Sequence, residues 1–253
     1  MDNVTALLQE TRHAAPLLAA VGDDRRNAVL RDLAQNLIAA TDTIIAANAK
    51  DLARMEKEDP RYDRLLLDAP RIKGIADDVA KVATLPSPTG RLLENRTLDN
   101  GLDISRITVP LGVVGVIYES RPNVTVDVFA LCFKAGNAAV LKGGKEADDS
   151  NRALIAVIHQ TLAAHSLPAA LCCLLPAPRE ATQVLLNAVG LVDICIPRGS
   201  QGLIDFVRDT AKIPVIETGA GIVHTYFAAS GDVAKGQDII EHAKPRRASV
   251  CNA

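Results

Sequence analysis

Long hydrophobic runs are missing from this sequence of 253 residues. No segment approaches the roughly 18 to 20 uninterrupted apolar residues that a membrane-spanning helix requires. The first residues, MDNVTALLQETRH, also lack the basic stretch followed by an apolar stretch that marks a secretion signal. We therefore expect a soluble, cytoplasmic protein that has no membrane partner.

Neither sign of charge dominates, because 28 lysines and arginines oppose 30 aspartates and glutamates. The formal net charge of −2 argues against general nucleic-acid binding, which requires a strongly basic surface. Any site for an anionic ligand must therefore be local. With 48% hydrophobic residues, the chain is long enough to bury a substantial core.

Paired CxxC spacing is absent from the five cysteines, so the sequence predicts neither a zinc site nor a disulfide framework. Four cysteines lie in apolar runs, where burial raises the thiol pKa and leaves the group unreactive: Cys132, Cys172, Cys173 and Cys195. Cys251 differs because it follows the polar, basic stretch KPRRAS. The five histidines share no ligand spacing, and we expect no metal.

Helical periodicity dominates the first ninety residues. Apolar side chains follow a helical period over 23–55 and again over 72–82. The segment LPSPTGR at 85–91 contains two prolines and one glycine and should end this region as a loop. The pattern predicts an N-terminal helical region over residues 1–90.

Short β-rich runs alternate with helical stretches after residue 102. Strands are predicted at VVGVIY, AAVLKG, LCCLL, VDICIP, IPVIE and IVHTYF, and helices near 124–134, 147–164, 179–189, 201–211 and 232–243. Strands that alternate with helices form parallel βαβ units, and uninterrupted apolar strands fit a sheet that is covered on both faces. The sequence therefore predicts an α/β fold with a Rossmann-type, mostly parallel sheet and helices on both faces.

Three loops follow predicted strands, where an open parallel sheet binds its ligands. They are ESRPNVTVD at 119–127, KGGKEADDSN at 142–151 and PRGSQG at 197–202. The elements GxGxxG and GxxxxGK[ST] are both absent, so neither the usual dinucleotide fingerprint nor a P-loop is supported.

Two of these loops combine glycine with positive charge. Between Lys142 and Lys145 two glycines leave bare backbone that can approach a phosphate, although an ordinary turn with solvated lysines explains the spacing equally well. In PRGS, Arg198 can meet an anion while Gly199 and Ser200 offer backbone N–H groups at a helix start. Plain helix capping by Ser200 is the alternative.

Asn123 and Glu217 each allow a structural and a functional interpretation. Asn123 follows a proline before a predicted helix, where an N-cap is the commonest explanation and an outward amide that donates to an oxyanion is the other. Glu217 ends an apolar strand before a glycine loop, where its pKa can rise toward general-base use. A solvated strand-end carboxylate fits equally well.

Five stretches of the sequence resemble the gamma-glutamyl phosphate reductases of the aldehyde dehydrogenase superfamily. They are RIKGIADDVAKV at 71–82, VPLGVVGVIYESRPNVTVDVFALCFKAGNAAVLKGGKEADDSN at 109–151, IPRGSQGL at 196–203, IPVIETGAGIVHTYF at 213–227 and AKPRRASVCNA at 243–253. The resemblance implies an aldehyde-dehydrogenase-like fold. It divides the chain into the helical region 1–90, an NADPH-binding α/β domain at 91–245 and the start of a catalytic domain at 246–253.

The resemblance also implies an activity, the NADPH-dependent reduction of L-glutamate 5-phosphate to L-glutamate 5-semialdehyde in proline biosynthesis. Cys251 would be the nucleophile, since its thiolate can displace phosphate and leave a thioester that accepts hydride. Asn123 would help to hold the oxyanion, which favours catalysis over capping. Glu217 resembles the glutamate that activates water in hydrolytic aldehyde dehydrogenases. Reduction of an acyl phosphate consumes no water, so the reaction does not require this role.

The remaining implied contacts are with the cofactor and the substrate. The implied cofactor-binding residues are Lys142, Gly143, Gly144, Lys145, Arg198, Gly199 and Ser200, and the implied substrate-binding residues are Arg121, Arg246 and Arg247. Lys142 would lie at the adenosine ribose, 143–145 near the 2′-phosphate, and 199–200 at the diphosphate.

Members of this family continue well beyond the cysteine. We therefore expect a homo-oligomer at full length, and a truncated chain that keeps the cofactor-binding fold with little activity. The alternative is a non-catalytic nucleotide- or partner-binding module. The KPRR and RPNVTVD stretches disfavour a CoA-dependent aldehyde dehydrogenase.

Overall fold

The computed structural model describes residues 2–59, 61–217 and 224–244. Helices occupy most of the first 82 residues: α1 Asp2–Ala19, α2 Asp23–Ala39, α3 Thr41–Leu52, α4 Tyr62–Leu65 and α5 Ala69–Val82. Helix α5 begins at a side-chain cap, because the Asp68 carboxylate accepts a hydrogen bond of 2.8 Å from the Arg71 N–H. The predicted N-terminal helical region is confirmed.

An antiparallel hairpin of β1 (Leu92–Thr97) and β2 (Asp103–Ile107) follows the helices. The sequence analysis did not predict it, because nearly all of its side chains are exposed and no buried face imposes an apolar alternation. The tight turn between the two strands was the sequence feature that could have predicted the hairpin. It contains Asn100 followed by Gly101, whose φ of 84° lies in the left-handed region that glycine favours.

The main sheet has four parallel strands in the order β5-β4-β3-β6. The strands are β3 Val113–Tyr118, β4 Ala138–Lys142, β5 Cys172–Leu174 and β6 Ile194–Arg198. Helices α6 Asn123–Lys134, α7 Asp148–Ala164, α8 Arg179–Leu186 and α9 Gln201–Thr210 alternate with the strands. Every residue of β3 and β4 is buried, and helices lie on both sides of the sheet. The predicted α/β class is confirmed.

Two of the predicted strands were wrong in extent. IPVIE supplies only an isolated parallel bridge between Cys195 and Val215, with hydrogen bonds from the Cys195 N–H to the Pro214 carbonyl (2.8 Å) and from the Ile216 N–H to the Cys195 carbonyl (3.0 Å). Residues 222–223 of IVHTYF lie outside the described residues. Residues 224–227 are exposed, and no described strand pairs with them, so apolar composition alone did not make a strand there.

The chain divides into two compact units, Met1–Ile216 and Glu217–Ala253. The first contains both sheets and the helices α1 to α9. The second contains helix α10 (Val233–Ala243), which begins where the Asp232 carboxylate accepts a 3.0 Å hydrogen bond from the Lys235 N–H. The domain boundaries expected after residues 90 and 245 stay a prediction.

A carboxylate from α3 holds the first turn of α7. The side chain of Asp51 is fully buried and accepts hydrogen bonds from the Ser150 N–H (2.7 Å), the Ser150 hydroxyl (2.5 Å) and the Asp149 N–H (3.2 Å). Burial raises the pKa of Asp51, and these hydrogen bonds only partly oppose that rise. The contact fixes α3 against the start of α7, directly after the KGGKE loop.

Asp51→Ala is expected to lower the free energy of unfolding by about 2 to 4 kcal/mol, because it leaves buried donors on α7 without an acceptor. Urea unfolding followed by far-ultraviolet circular dichroism measures the change. The matched control is Asp77→Ala, which removes an exposed pair with Lys73 and should cost under about 0.5 kcal/mol. Equal losses in the two variants would contradict a structural role for Asp51.

Candidate functional site

The carboxyl ends of β3, β4 and β6 meet at one edge of the sheet. Ile117 pairs with Lys142 on one side of β3, and Tyr118 pairs with Arg198 on the other. The three predicted loops leave the sheet from these positions. We call this region, formed by 118–123, 142–147 and 198–203, the carboxyl edge.

Lys142 ends β4 with its side chain buried, since the residue is only 5% exposed. Its ammonium donates to the carbonyls of Gly143 and Ala177, both at 2.9 Å. Burial lowers the pKa of Lys142, and the carboxylates of Glu146 and Asp148 oppose that shift. The contacts within the described residues use two of the three ammonium N–H groups, so one is left to donate to a ligand. The solvated-lysine alternative is wrong for Lys142, whereas Lys145 is exposed.

Both glycines of KGGKE lie close against the ends of polar side chains. A Cβ added at Gly143 would collide with the Asn151 amide, and one added at Gly144 would collide with the Glu146 carboxylate. Asn151 accepts a 2.9 Å hydrogen bond from the Thr125 hydroxyl, which also shares one of 2.6 Å with the Tyr118 hydroxyl. This buried chain of hydrogen bonds ties together β3, α6 and α7.

Ser200 caps α9, as its structural alternative predicted. Its hydroxyl accepts a 3.4 Å hydrogen bond from the Leu203 N–H. The Ser200 N–H also donates to the Glu119 carboxylate at 2.9 Å, so a negative charge of the chain lies at the N-terminus of α9. A Cβ at Gly199 would lie 2.6 Å from that carboxylate, which explains why the position holds glycine. Arg198 is exposed at the end of β6.

Asn123 is the first residue of α6 and does not cap it. The cap position belongs to Pro122, and no side chain makes a capping hydrogen bond there. The N-cap interpretation was wrong, because the helix begins one residue earlier than a capping asparagine requires. The Asn123 amide instead donates to the Asp127 carboxylate at 2.9 Å. Burial raises the pKa of Asp127, and the bond from Asn123 opposes this rise.

A contact missed by the sequence analysis joins two of the predicted loops. One carboxylate oxygen of Glu146 accepts hydrogen bonds from the Ser120 N–H (2.8 Å) and the Ser120 hydroxyl (2.7 Å). Glu119 likewise joins the loop after β3 to α9. Both glutamates lie in loops that the sequence had singled out, but a single sequence does not reveal which distant residue each one contacts.

Four predicted site residues are not tested by this geometry. Cys251, Arg246 and Arg247 lie outside the described residues, so their roles stay predictions. Glu217 is exposed and belongs to the second unit, and its role also stays a prediction. Arg121 is half-buried between Ser120 and the start of α6.

The other four cysteines behave as the sequence predicts. Cys172, Cys173 and Cys195 are buried, and Cys132 is half-buried. Burial raises the thiol pKa to about 11 for Cys173 and to about 12 for Cys132 and Cys195. Thiols with such pKa values remain protonated at neutral pH and are poor nucleophiles.

Other features of the described residues do not involve the predicted site. A cavity of about 550 Å³ lies between α1 and α8, and one of about 420 Å³ lies beside α1, α7 and β5; none of the predicted site residues lines either. Over the same described residues, no three metal-ligating side chains cluster, and none of the helices is long and apolar enough to cross a membrane.

Comparison with known sequences gives close relatives that are named gamma-glutamyl phosphate reductases. The gamma-glutamyl phosphate reductase of Chlorobaculum parvum is 57% identical over 246 residues, which are 97% of this chain and 59% of the relative. Over nearly its whole length, this chain is similar to a gamma-glutamyl phosphate reductase. The reductase of Bacteroides thetaiotaomicron is 55% identical over 251 residues, or 99% of this chain and 60% of the relative. The chain thus spans about three fifths of the length of these curated relatives. No family model matches it.

Solved structures include a reductase of the same name. The crystal structure of the Thermotoga maritima reductase has a TM-score of 0.89 at 31% identity and covers 98% of this chain and 61% of that one. An NAD-dependent benzaldehyde dehydrogenase from Corynebacterium glutamicum has a TM-score of 0.74 at 17% identity and covers 95% of this chain and 50% of that one. The second likeness shows the fold alone, and the predicted aldehyde-dehydrogenase-like fold is confirmed.

Proposed function

We propose that the carboxyl edge binds NADPH and that the whole protein reduces L-glutamate 5-phosphate to L-glutamate 5-semialdehyde, with release of phosphate, in proline biosynthesis. The observation that carries the proposal is that a buried ammonium, at Lys142, and a helix N-terminus that holds a carboxylate, at Ser200, lie on the same edge of the sheet, on either side of β3. The choice of L-glutamate 5-phosphate as substrate rests on the similarity to gamma-glutamyl phosphate reductases.

The residues of the carboxyl edge fit a phosphorylated dinucleotide. The free N–H of Lys142 suits a ribose hydroxyl, and exposed Lys145 suits the 2′-phosphate. The N-terminus of α9 already holds one anion, the carboxylate of Glu119, so its N–H groups and dipole suit the diphosphate. Gly143, Gly144, Arg198 and Gly199 complete the set. When bound, NADPH supplies the hydride.

Side chains and backbone groups of the protein carry out the other steps of the reaction. The Cys251 thiolate attacks the acyl carbon, the bond to the phosphate oxygen breaks, and phosphate departs to leave a thioester. The Asn123 amide and the backbone N–H of Cys251 stabilise the oxyanion of this step. Arg121, Arg246 and Arg247 hold the substrate phosphate, since guanidinium groups pair well with phosphate oxygens. Glu217 has no required part, because no water is consumed.

The proposal extends to the organisation of the whole protein. The helical region 1–90 packs on a cofactor domain at 91–245, and 246–253 begin a catalytic domain that the longer relatives continue. The whole protein works in the cytoplasm as a homo-oligomer. The alternative, a non-catalytic nucleotide-binding module, predicts NADPH binding without turnover.

A coupled assay on the protein translated to the stop codon of its gene tests the proposal. NADPH oxidation and phosphate release are measured together with L-glutamate 5-phosphate, and the reverse reaction is measured with semialdehyde, NADP and phosphate. The reductase proposal predicts equal amounts of NADPH consumed and phosphate released. NADPH binding without turnover in either direction would contradict it and favour the binding module.

Glu119→Gln is expected to tighten NADPH binding by about threefold to tenfold, because it removes a negative charge that competes for the Ser200 N–H. A fluorescence titration of this chain with NADPH measures the dissociation constant. The control is Glu94→Gln on the exposed hairpin, which changes the net charge equally. Weaker binding, or equal shifts in both variants, would show that Glu119 does not occupy the diphosphate position.

A further inference from the structure

We propose that Glu146 is a positioning residue that holds Ser120 in a left-handed backbone conformation and so couples the cofactor loop to the loop that carries Asn123. The cofactor loop is 142–147, and the asparagine loop is 119–123. The inference rests on the proposed function, because it assigns the contact a part in the same reaction. No motif or spacing in the sequence had indicated it.

Ser120 has an unusual backbone conformation for its residue type. Its φ is 41°, in the left-handed region, which is unfavourable for a residue that has a side chain. The residue is 7% exposed, so water does not freely solvate its N–H and hydroxyl. The two hydrogen bonds to Glu146, at 2.8 and 2.7 Å, satisfy both groups and stabilise this conformation.

The charge of Glu146 strengthens this contact. Burial acts to raise the pKa of Glu146, but hydrogen bonds from Ser120 and from its own N–H, together with the positive charge of Arg61, outweigh it and lower the pKa. The carboxylate is therefore ionised at neutral pH. Hydrogen bonds to an ionised acceptor are about twice as strong as neutral ones.

Glu146 is also fixed from the side of the cofactor loop. Its carboxylate lies so close to Gly144 that a Cβ there would collide with it. Because Glu146 is itself part of the cofactor loop, a shift of the KGGK backbone would carry the acceptor of Ser120 with it. The loop proposed to hold the 2′-phosphate and the loop proposed to hold the oxyanion are joined through one carboxylate.

The asparagine loop has a second anchor beyond Asn123. Thr125 in the first turn of α6 is buried between the Tyr118 hydroxyl and the Asn151 amide. The loop is therefore held at both ends, by β3 and by the start of α6, and the conformation of Ser120 sets its path between them. Losing the restraint from Glu146 would let Arg121 and Asn123 move relative to the cofactor.

The test compares Glu146→Ala, Ser120→Gly and the double variant in the protein translated to its stop codon. Glu146→Ala should lower kcat by about tenfold to a hundredfold, because small misplacements of catalytic groups have effects of this size, with a smaller change in the KM for NADPH. Glycine adopts positive φ without strain, so Ser120→Gly in the Glu146→Ala background should restore most of the lost kcat. Glu146→Gln keeps an acceptor oxygen and should fall between wild type and Glu146→Ala.

A second readout needs neither substrate nor cofactor. In this 253-residue chain, hydrogen exchange at the Ser120 amide should be about tenfold faster in Glu146→Ala than in wild type and unchanged in Glu94→Ala. Unchanged exchange, an unchanged kcat, an effect confined to the KM for NADPH, or no rescue by glycine would each overturn the inference. An inactive wild-type protein would instead overturn the proposed function, and the exchange result would still decide whether Glu146 restrains Ser120.

Discussion

Cys251→Ala is expected to reduce turnover of L-glutamate 5-phosphate by at least about a thousandfold in the protein translated to its stop codon, because alanine offers no nucleophile for the acyl carbon. Phosphate release measures the loss directly. The affinity for NADPH should remain within about threefold of wild type, since the proposed cofactor site is the carboxyl edge and does not include the thiol.

Cys132→Ala is the matched control for this experiment. Burial raises the pKa of the Cys132 thiol to about 12, so this cysteine is protonated and should contribute nothing to the chemistry. Its replacement should leave kcat close to wild type. If turnover survives Cys251→Ala but is lost in Cys132→Ala, the proposal that Cys251 is the nucleophile is wrong.

Lys142→Met is expected to weaken NADPH binding by about one to two orders of magnitude, because it removes the charge-assisted hydrogen bond that we propose Lys142 donates to the cofactor. Methionine fills a similar volume but leaves the carbonyls of Gly143 and Ala177 without their donor. The free energy of unfolding should therefore also fall, by about 1 to 3 kcal/mol. Fluorescence titration and urea unfolding measure the two changes in the same preparation.

Lys145→Met distinguishes the role of Lys145 from that of Lys142. Because Lys145 is exposed, its loss should leave the free energy of unfolding nearly unchanged. Its proposed contact is the 2′-phosphate, so NADPH should lose affinity while NADH does not. If Lys142→Met binds NADPH as wild type does, or if Lys145→Met weakens both cofactors equally, the proposed positions are wrong.

The parts of the fold that the sequence predicted best are those with the strongest burial. Strands β3 and β4 are covered on both faces, and this requires the uninterrupted apolar runs that mark them. The hairpin at 92–107 has almost no buried side chains, so its strands carry no such pattern. Residues 224–227 show the converse, because an apolar run without a pairing strand stays irregular.

The candidate site, like the fold, was predicted in part from the sequence. The rule that ligands bind at the carboxyl ends of parallel strands predicted which loops lie at one edge of the sheet, and the ends of β4 and β6, at Lys142 and Arg198, do flank the end of β3 there. The contacts of Glu119 and Glu146 were not predicted. Each joins residues far apart in the chain, 81 and 26 positions respectively, and depends on side-chain placement that periodicity does not encode.

Asn123 illustrates the limit of local rules. A proline followed by asparagine before a helix favours an N-cap, yet Pro122 itself takes the cap position and the amide reaches Asp127. The loop that precedes the helix contains the unusual φ of Ser120, which local sequence rules do not predict. A shift of one residue was enough to change the expected partner of the side chain.

The most direct test of the central claim is a comparison of hydrogen exchange in this 253-residue chain with and without NADPH. The proposal predicts slower exchange at 142–147 and 198–203 when NADPH is present, and no change at the cavity between α1 and α8. Protection confined to that cavity, or no protection anywhere at saturating NADPH, would contradict a cofactor site at the carboxyl edge.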